Sequence, residues 1–218
     1  MTRRSSVLSI GLALFLSGVV ACGGGEPVRG AGSSGPRLDV GPEDPADFGP
    51  LPDFHLVSER GRPVSLDSLR GRPMVFAALF STCTGPCPSV AGGLKRLQES
   101  LRDTDVLLVV VSVNPGFDSP EVLTRYAEHV GADPERWIFL TGAEPEVYGL
   151  VREGFFLAVD RAGAEEETQG DPVTHDTRLL AVDRQGHRRG WYAGTDEHQV
   201  ERLRRRMLFL AAREAQEE

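Results

Sequence analysis

The chain has 218 residues, of which 40% are hydrophobic and 26% are charged, and it contains 25 Gly and 15 Pro. This composition fits one globular domain with ancillary segments, and it excludes a collagen-like or a wholly disordered chain. With 24 Lys and Arg against 32 Asp and Glu, the formal net charge is −8. An acidic chain of this kind favours an exported protein, and we expect no nucleic acid as a partner. Its 3 cysteines are too few for a small domain held together by disulfides.

Residues 1–21 have the three-part layout of a secretory signal peptide. Arg3 and Arg4 precede an apolar run at residues 7–16, and small residues lead up to Cys22. The run is about half the roughly 20 residues that a bilayer-spanning helix needs. Residues 19–22, Val-Val-Ala-Cys, are similar to a bacterial lipobox, in which the cysteine is lipidated and becomes the new N-terminus. We therefore expect an exported lipoprotein, anchored to a membrane through Cys22 and facing the periplasm or the cell exterior. The alternative is an ordinary signal peptide cleaved elsewhere, which would leave Cys22 as a free thiol.

The composition then shifts to a Gly- and Pro-rich segment without a periodic apolar pattern. This pattern predicts a flexible linker over residues 22–50 that holds the folded part away from the membrane. The folded domain is predicted to occupy residues 51–218.

Strand-like and helix-like segments alternate from residue 52 onward, as is typical of an α/β domain with a largely parallel sheet. Continuous apolar runs at residues 74–80 and 106–113 predict central strands that are buried on both faces. A further short strand at 137–140, a short helix at 144–151 and a C-terminal hairpin of residues 179–183 and 189–192 complete the predicted set.

Three longer helices are predicted from apolar periodicity and end signals. The first begins near Pro88 and places Val90, Leu94, Leu97 and Leu101 on one face. The second is capped by Ser119, directs Leu123 and Tyr126 inward, and ends at Gly131. The last is capped by Thr195, and its arginine-rich face is predicted to be solvated.

Cys83 and Cys87 carry the most chemical information in the sequence. They are separated by three residues and lie between a predicted buried strand and a predicted helix. A four-residue offset brings two sulfurs to the same side of a helical turn, where they bind one metal ion or form a disulfide. The positive end of the helix dipole favours thiolate, which is the form that binds metal. A structural disulfide in an oxidising compartment is the alternative interpretation.

A third donor would complete a trigonal site around a metal ion held by these cysteines. Two thiolates form a soft donor set that suits Cu(I). His175 lies just before a predicted strand and after an acidic loop at residues 161–172, so it is placed to reach the cysteines. A structural role for this histidine is the alternative. The other histidines are predicted to be surface or packing residues: His55, His129, His187 and His198.

The region from residue 52 to 203 resembles the SCO/SenC family, thioredoxin-fold proteins that bind copper and assist assembly of cytochrome c oxidase. Four elements in the same order carry the resemblance: Cys83-x3-Cys87-Pro88, Ser112-Val113-Asn114-Pro115 with Asp118 and Pro120, Leu140-Thr141-Gly142, and Val182-Asp183-Arg184-Gln185-Gly186. It implies a thioredoxin-like fold, with a central, mostly parallel sheet flanked by helices and with a C-terminal hairpin and helix. It also implies that Cys83, Cys87 and His175 ligate copper, as Cu(I) and, in a second state, as Cu(II).

Three positions depart from the family pattern. Thr84 stands where a proline is usual, Asn114 replaces an acidic residue, and Thr174 precedes the histidine in place of Asp. If a carboxylate assists Cu(II) binding in the family, Asp118 or Asp176 is a candidate replacement here.

Three functions are consistent with this site. The leading one is a copper metallochaperone that delivers copper to the copper-bearing subunit of a respiratory cytochrome c oxidase. It requires an external thiol reductant, because only reduced cysteines bind the metal. The alternative is a thiol:disulfide oxidoreductase acting on exported proteins or on the cysteines of the oxidase subunit. Familiar oxidoreductases use a Cys-x2-Cys spacing, so the longer spacing favours metal binding. A peroxidase-like or redox-sensing protein is the third hypothesis.

Overall fold

The computed structural model describes residues 46–162 and 172–214 of the protein, with side chains described as far as residue 212. The predicted signal peptide, Cys22, the linker up to residue 45 and the glutamates at 165–167 lie outside the described residues.

The described strands and helices follow each other in an α/β order. The strands are β1 (His55–Ser58), β2 (Pro63–Ser65), β3 (Met74–Leu79), β4 (Leu107–Ser112), β5 (Trp137–Thr141), β6 (Val159–Arg161), β7 (Val173–His175), β8 (Arg178–Val182) and β9 (Arg188–Ala193). The helices are α1 (Leu66–Leu69), α2 (Cys87–Ser100), α3 (Pro120–Val130), α4 (Glu144–Gly149), a π-helical turn (Leu150–Gly154) and α5 (Glu197–Glu214).

The two continuous apolar runs form β3 and β4, the centre of the main sheet. Every residue of both strands is buried, and the strands run parallel with Met74 opposite Leu107 and Leu79 opposite Ser112. Burial on both faces explains why the two runs show no polar alternation, and why β4 is rich in Val and Leu.

The main sheet has seven strands in the order β2-β1-β5-β4-β3-β8-β9. Among the described strands of this sheet, only β3, β4 and β5 pair in parallel, whereas the strands on both sides of them pair antiparallel. The parallel part is therefore confined to the centre, and the sheet as a whole is mixed. The sequence predicted a mostly parallel sheet. The pairs β1–β2 and β8–β9 differ from this prediction because each is a hairpin closed by a short turn, which requires antiparallel strands. The strands β6 and β7 form a separate antiparallel ribbon.

The ends of α2 and α3 follow the predicted signals. Helix α2 begins at Cys87 with a proline in its first turn and buries Val90, Leu94 and Leu97. The hydroxyl of Ser119 accepts a hydrogen bond from the backbone N–H of Val122, and Gly131 ends α3 in the left-handed conformation at φ 67°.

Helix α5 differs from its prediction in two respects. Its cap is Asp196 and not Thr195, because the Asp196 carboxylate accepts backbone N–H bonds from His198 at 2.8 Å and Gln199 at 3.2 Å. Its arginines are not all solvated either. Arg206 is only 1% exposed and donates to the backbone oxygen of Arg189.

Residues 46–50, assigned to the linker by composition, pack along β9. The Phe48 amide donates to the Arg188 oxygen at 3.1 Å, and the Arg188 amide donates to the Gly49 oxygen at 3.0 Å. The Phe48 ring contacts that of Trp191 at a centroid distance of 4.9 Å. Residues 46–50 therefore belong to the packed structure and not to the linker to which the composition assigned them.

Candidate metal centre

The two cysteines lie where the central strand β3 passes into α2. Cys83 is in the loop after β3 and is half-buried, whereas Cys87 is the first residue of α2 and is 1% exposed. Both are thiols and not members of a disulfide in this structure. Because helix α2 starts at Cys87, the cysteines lie at the positive end of its dipole.

The histidine reaches the cysteines from the β6–β7 ribbon. His175 is the last residue of β7 and pairs with Val159 of β6, and the Asp176 amide then donates to the Ala158 oxygen. Its Nε2 atom lies 3.3 Å from the Sγ atom of Cys87. The Phe80 ring packs against the imidazole at a centroid distance of 5.6 Å and an interplanar angle of 76°. The ribbon therefore places the histidine at the cysteine loop, as the sequence predicted.

A backbone contact determines which nitrogen of His175 carries the proton. Nδ1 lies 3.0 Å from the backbone oxygen of Asp176. A carbonyl oxygen only accepts, so in the neutral imidazole Nδ1 carries the proton and donates it. The Nε2 lone pair then faces the Cys87 sulfur, which is the state that a metal-binding histidine requires.

The two sulfurs and one His175 ring nitrogen all lie within 4.8 Å of one another. Two ligand atoms of one ion lie at most about 4.6 Å apart when the metal–sulfur bond is about 2.3 Å. Small shifts therefore allow Cys83, Cys87 and His175 to share a single ion. Two thiolates and one imidazole suit a soft metal ion.

Neither aspartate proposed as a replacement carboxylate joins this cluster. The Asp176 carboxylate is 5% exposed and forms an ion pair with Arg178, 2.8 Å from its Nη2 atom. Both oxygens of Asp118 are hydrogen-bonded to serines of the neighbouring loops. The expectation that one of them serves as a metal ligand is thus not supported, because each carboxylate is already engaged.

Tyr126 is a residue of the site that the sequence did not single out. Its side chain is half-buried on α3 and packs against Phe139. Burial raises its pKa well above the usual range, and the negative charge of Cys87, Cys83 and Asp118 raises it further. The phenol is therefore within the range of the charge on the two cysteines. Its place on the inward face of a predicted helix was visible in the sequence, but its proximity to the thiols depends on the packing of α3.

The other histidines lie away from the site, as predicted. His187 is half-buried, and its Nδ1 atom lies 2.7 Å from the Asp47 carboxylate. The remaining three are exposed: His55, His129 and His198.

Comparisons with known proteins agree with this geometry. The SCO1/SenC family model matches residues 43–207. A SCO1/SenC family lipoprotein from Bacillus anthracis is 26% identical, with a TM-score of 0.67 over 76% of this chain and 99% of its own. BsSco, described as a member of the Sco family of cytochrome c oxidase assembly proteins with a disulfide switch, is 24% identical. Its TM-score is 0.68 over 78% of this chain and 98% of its own.

A third solved structure was determined with metal. Copper-bound ScoI from Bradyrhizobium japonicum is 20% identical, with a TM-score of 0.56 over 72% of this chain and 99% of its own. At this identity the likeness establishes the fold. Because the family model matches most of the sequence, including the cysteine loop and the histidine ribbon, the chain belongs to the SCO1/SenC family.

Proposed function

We propose that the protein is a copper metallochaperone that binds copper through Cys83, Cys87 and His175. The observation that carries this proposal is the convergence of two sulfurs and one imidazole nitrogen within 4.8 Å. The donor set suits Cu(I), and Cu(II) is a second state. The copper-bound structure of Bradyrhizobium ScoI supports the choice of metal.

The unequal exposure of the two cysteines suits a protein that passes its metal on. Cys87 is buried and anchored in α2, while Cys83 is half-buried and is followed by three exposed residues, 84–86. A ligand of an acceptor protein therefore approaches the ion from the Cys83 side. Stepwise ligand exchange then proceeds without release of the ion to water.

The acceptor that we propose is the copper-bearing subunit of a respiratory cytochrome c oxidase. The description of BsSco as a member of a family of oxidase assembly proteins supports this choice. An external thiol reductant is a second partner, since a Cys83–Cys87 disulfide cannot bind the metal.

A transfer experiment tests this function. Protein loaded with Cu(I) is mixed with the reduced, copper-free soluble domain of the oxidase subunit, and copper in each protein is measured after separation. We expect copper to appear on the oxidase domain with the wild type and with the control His55→Ala, which alters an exposed residue of β1. A wild-type protein that retains its copper in the presence of the acceptor would contradict delivery.

The alternative is a thiol:disulfide oxidoreductase, and the juxtaposed thiols at a helix N-terminus favour it. In that reaction the Cys83–Cys87 dithiol would become a disulfide while a substrate disulfide becomes two thiols. His175 contributes no atom to this exchange. A substitution of His175 thus separates the two functions, because copper binding loses a ligand whereas disulfide exchange keeps both of its sulfurs.

The location proposed is the outer side of a membrane, with Cys22 as a lipid anchor. In residues 46–162 and 172–214, no helix has the length and apolar character needed to cross a bilayer. The description of the Bacillus anthracis relative as a lipoprotein supports an anchor of this kind. Cys22→Ser is expected to shift the protein from the membrane fraction to the soluble exported fraction, and unchanged membrane retention would contradict the proposal.

A further inference from the structure

Asp118 is a fully buried carboxylate beneath the cysteine loop. It lies between β4 and α3 and is 0% exposed. Its Oδ2 atom accepts the Ser81 amide at 3.0 Å and also the Ser112 hydroxyl, while Oδ1 accepts the Ser81 hydroxyl. Hydrogen bonds to a charged acceptor are about twice as strong as neutral ones, so the carboxylate ties the two loops firmly together.

Ser81 lies in the turn that carries the first cysteine. The strand β3 ends at Leu79, and the Cys83 amide then donates to the Phe80 oxygen at 3.4 Å, which closes a tight turn around Ser81. Asp118 thus fixes this turn through two hydrogen bonds, one from the backbone amide and one from the hydroxyl of Ser81. Any rotation of the turn moves Cys83 relative to Cys87, since Cys87 is fixed by α2.

The opposite side of Asp118 is equally well anchored. Ser112 is the last residue of β4 and is 0% exposed, and it pairs with Leu79, the last residue of β3. The Asp118 amide donates to the Asn114 oxygen at 2.9 Å, which fixes its own loop. The centre of the sheet therefore fixes the position of the carboxylate through Ser112, and the carboxylate fixes the cysteine turn through Ser81.

Tyr126 of α3 is influenced by Asp118 as well as by the two cysteines. The pKa of this phenol is raised first by burial and then by the charges of Cys87, Cys83 and Asp118 together. All three anionic groups thus act on one side chain of α3. The carboxylate is near the site although its oxygens are already engaged by serines.

We propose that Asp118 is the positioning residue of the metal centre, which holds Cys83 in register with Cys87 and His175 without touching the metal. This inference deepens the proposed function and rests on it. Because the cysteine turn is already ordered in the metal-free protein, metal binding does not have to order it. Binding therefore costs less conformational entropy, and the affinity for the metal is higher. Residues that orient metal ligands typically change affinity about 10- to 100-fold when substituted.

Two substitutions and one matched control test the proposal in the full chain. Asp118→Ala removes the hydrogen-bond acceptor, and Asp118→Asn retains one acceptor oxygen for the Ser81 amide. The control is Asp183→Ala. Asp183 is also 0% exposed and accepts the amides of Gln185 and His187, but it lies after β8, at the sheet edge opposite the cysteine loop. Each variant is confirmed as folded by circular dichroism before copper is added.

Two readouts are compared, namely Cu(I) affinity by chelator competition and the equilibrium between the Cys83–Cys87 dithiol and glutathione disulfide. We expect Asp118→Ala to weaken Cu(I) binding at least about tenfold and to make the protein disulfide easier to reduce, because the two thiols no longer face each other. Asp118→Asn should restore most of the affinity. Asp183→Ala should lower the melting temperature while leaving both readouts at their wild-type values.

The outcomes separate this inference from the proposed function. Wild-type protein that binds no copper would contradict the proposed function itself. Wild-type protein that binds copper, with Asp118→Ala matching it in both readouts, would overturn the positioning role alone. Equal losses in Asp118→Ala and Asp118→Asn, or equal losses in Asp118→Ala and Asp183→Ala, would also overturn it. Equal losses in the two Asp118 variants would assign the effect to the charge of the carboxylate. Equal losses in Asp118→Ala and Asp183→Ala would assign it to general destabilisation of the fold.

Discussion

The Sγ atom of Cys87 lies 3.3 Å from Nε2 of His175, although the two residues are 88 positions apart in the chain. The cysteine is fixed by the first turn of α2, and the histidine by the β6–β7 ribbon. Two elements of different kinds thus meet at one edge of the sheet. A metal ion bound there would bridge the helix and the ribbon.

His175→Ala is predicted to weaken Cu(I) binding at least about tenfold, because one of three donors is lost. The Cys83–Cys87 pair should still form and lose its disulfide, since both sulfurs and the start of α2 are retained. Chelator competition and glutathione equilibration measure the two quantities. Unchanged copper affinity in His175→Ala, with disulfide exchange also retained, would contradict the role of His175 as a ligand and favour the oxidoreductase function.

The two cysteines are predicted to differ in reactivity. Cys83 is half-buried and Cys87 is 1% exposed, so iodoacetamide should modify Cys83 several-fold faster in the metal-free protein. Peptide mass spectrometry over a time course resolves the two sites. Stoichiometric Cu(I) should protect both, and a faster reaction at Cys87 would contradict the burial described here.

Asp176→Ala is predicted to destabilise the fold by about 3 kcal/mol, because it leaves the guanidinium of Arg178 without the carboxylate that it faces in a buried ion pair. The matched control is Asp67→Ala. It removes an exposed partner of Arg70, and we expect a loss of less than about 1 kcal/mol. Urea unfolding measures both. Equal effects of the two substitutions would contradict the distinction.

Tyr126 predicts a specific loss of stability at high pH. Its pKa is raised in the folded protein, so the neutral phenol is favoured there, and its contribution to stability is complete below the ordinary pKa of 10.0. That contribution is lost as the pH rises above this value. Urea unfolding near pH 8 and near pH 11 should show a smaller alkaline loss for Tyr126→Phe than for the wild type. Identical losses would contradict the assignment.

The part of the fold that the sequence predicts is the part determined by local patterns. The apolar runs of β3 and β4, the periodicity of α2 and the end signals of α3 each lie within a short window, and all are confirmed. The predicted cap of α5, Thr195, was wrong, because the carboxylate of the next residue, Asp196, accepts the first free amides of the helix.

The sequence predicted which three side chains come together, but not the contacts that hold them in place. Spacing and the family resemblance identified Cys83, Cys87 and His175, which the structure brings together. The contact of Asp118 with Ser81 joins residues 37 positions apart. Only the parallel pairing of β3 and β4 brings their two loops to one edge, so no local pattern revealed it.

X-ray absorption at the copper edge of the Cu(I)-loaded protein tests the central claim most directly. We predict one copper per chain, with two sulfur neighbours and one imidazole nitrogen, and loss of the imidazole signal in His175→Ala. A copper ion with sulfur neighbours alone in the wild type, or identical spectra of the wild type and His175→Ala, would contradict this prediction.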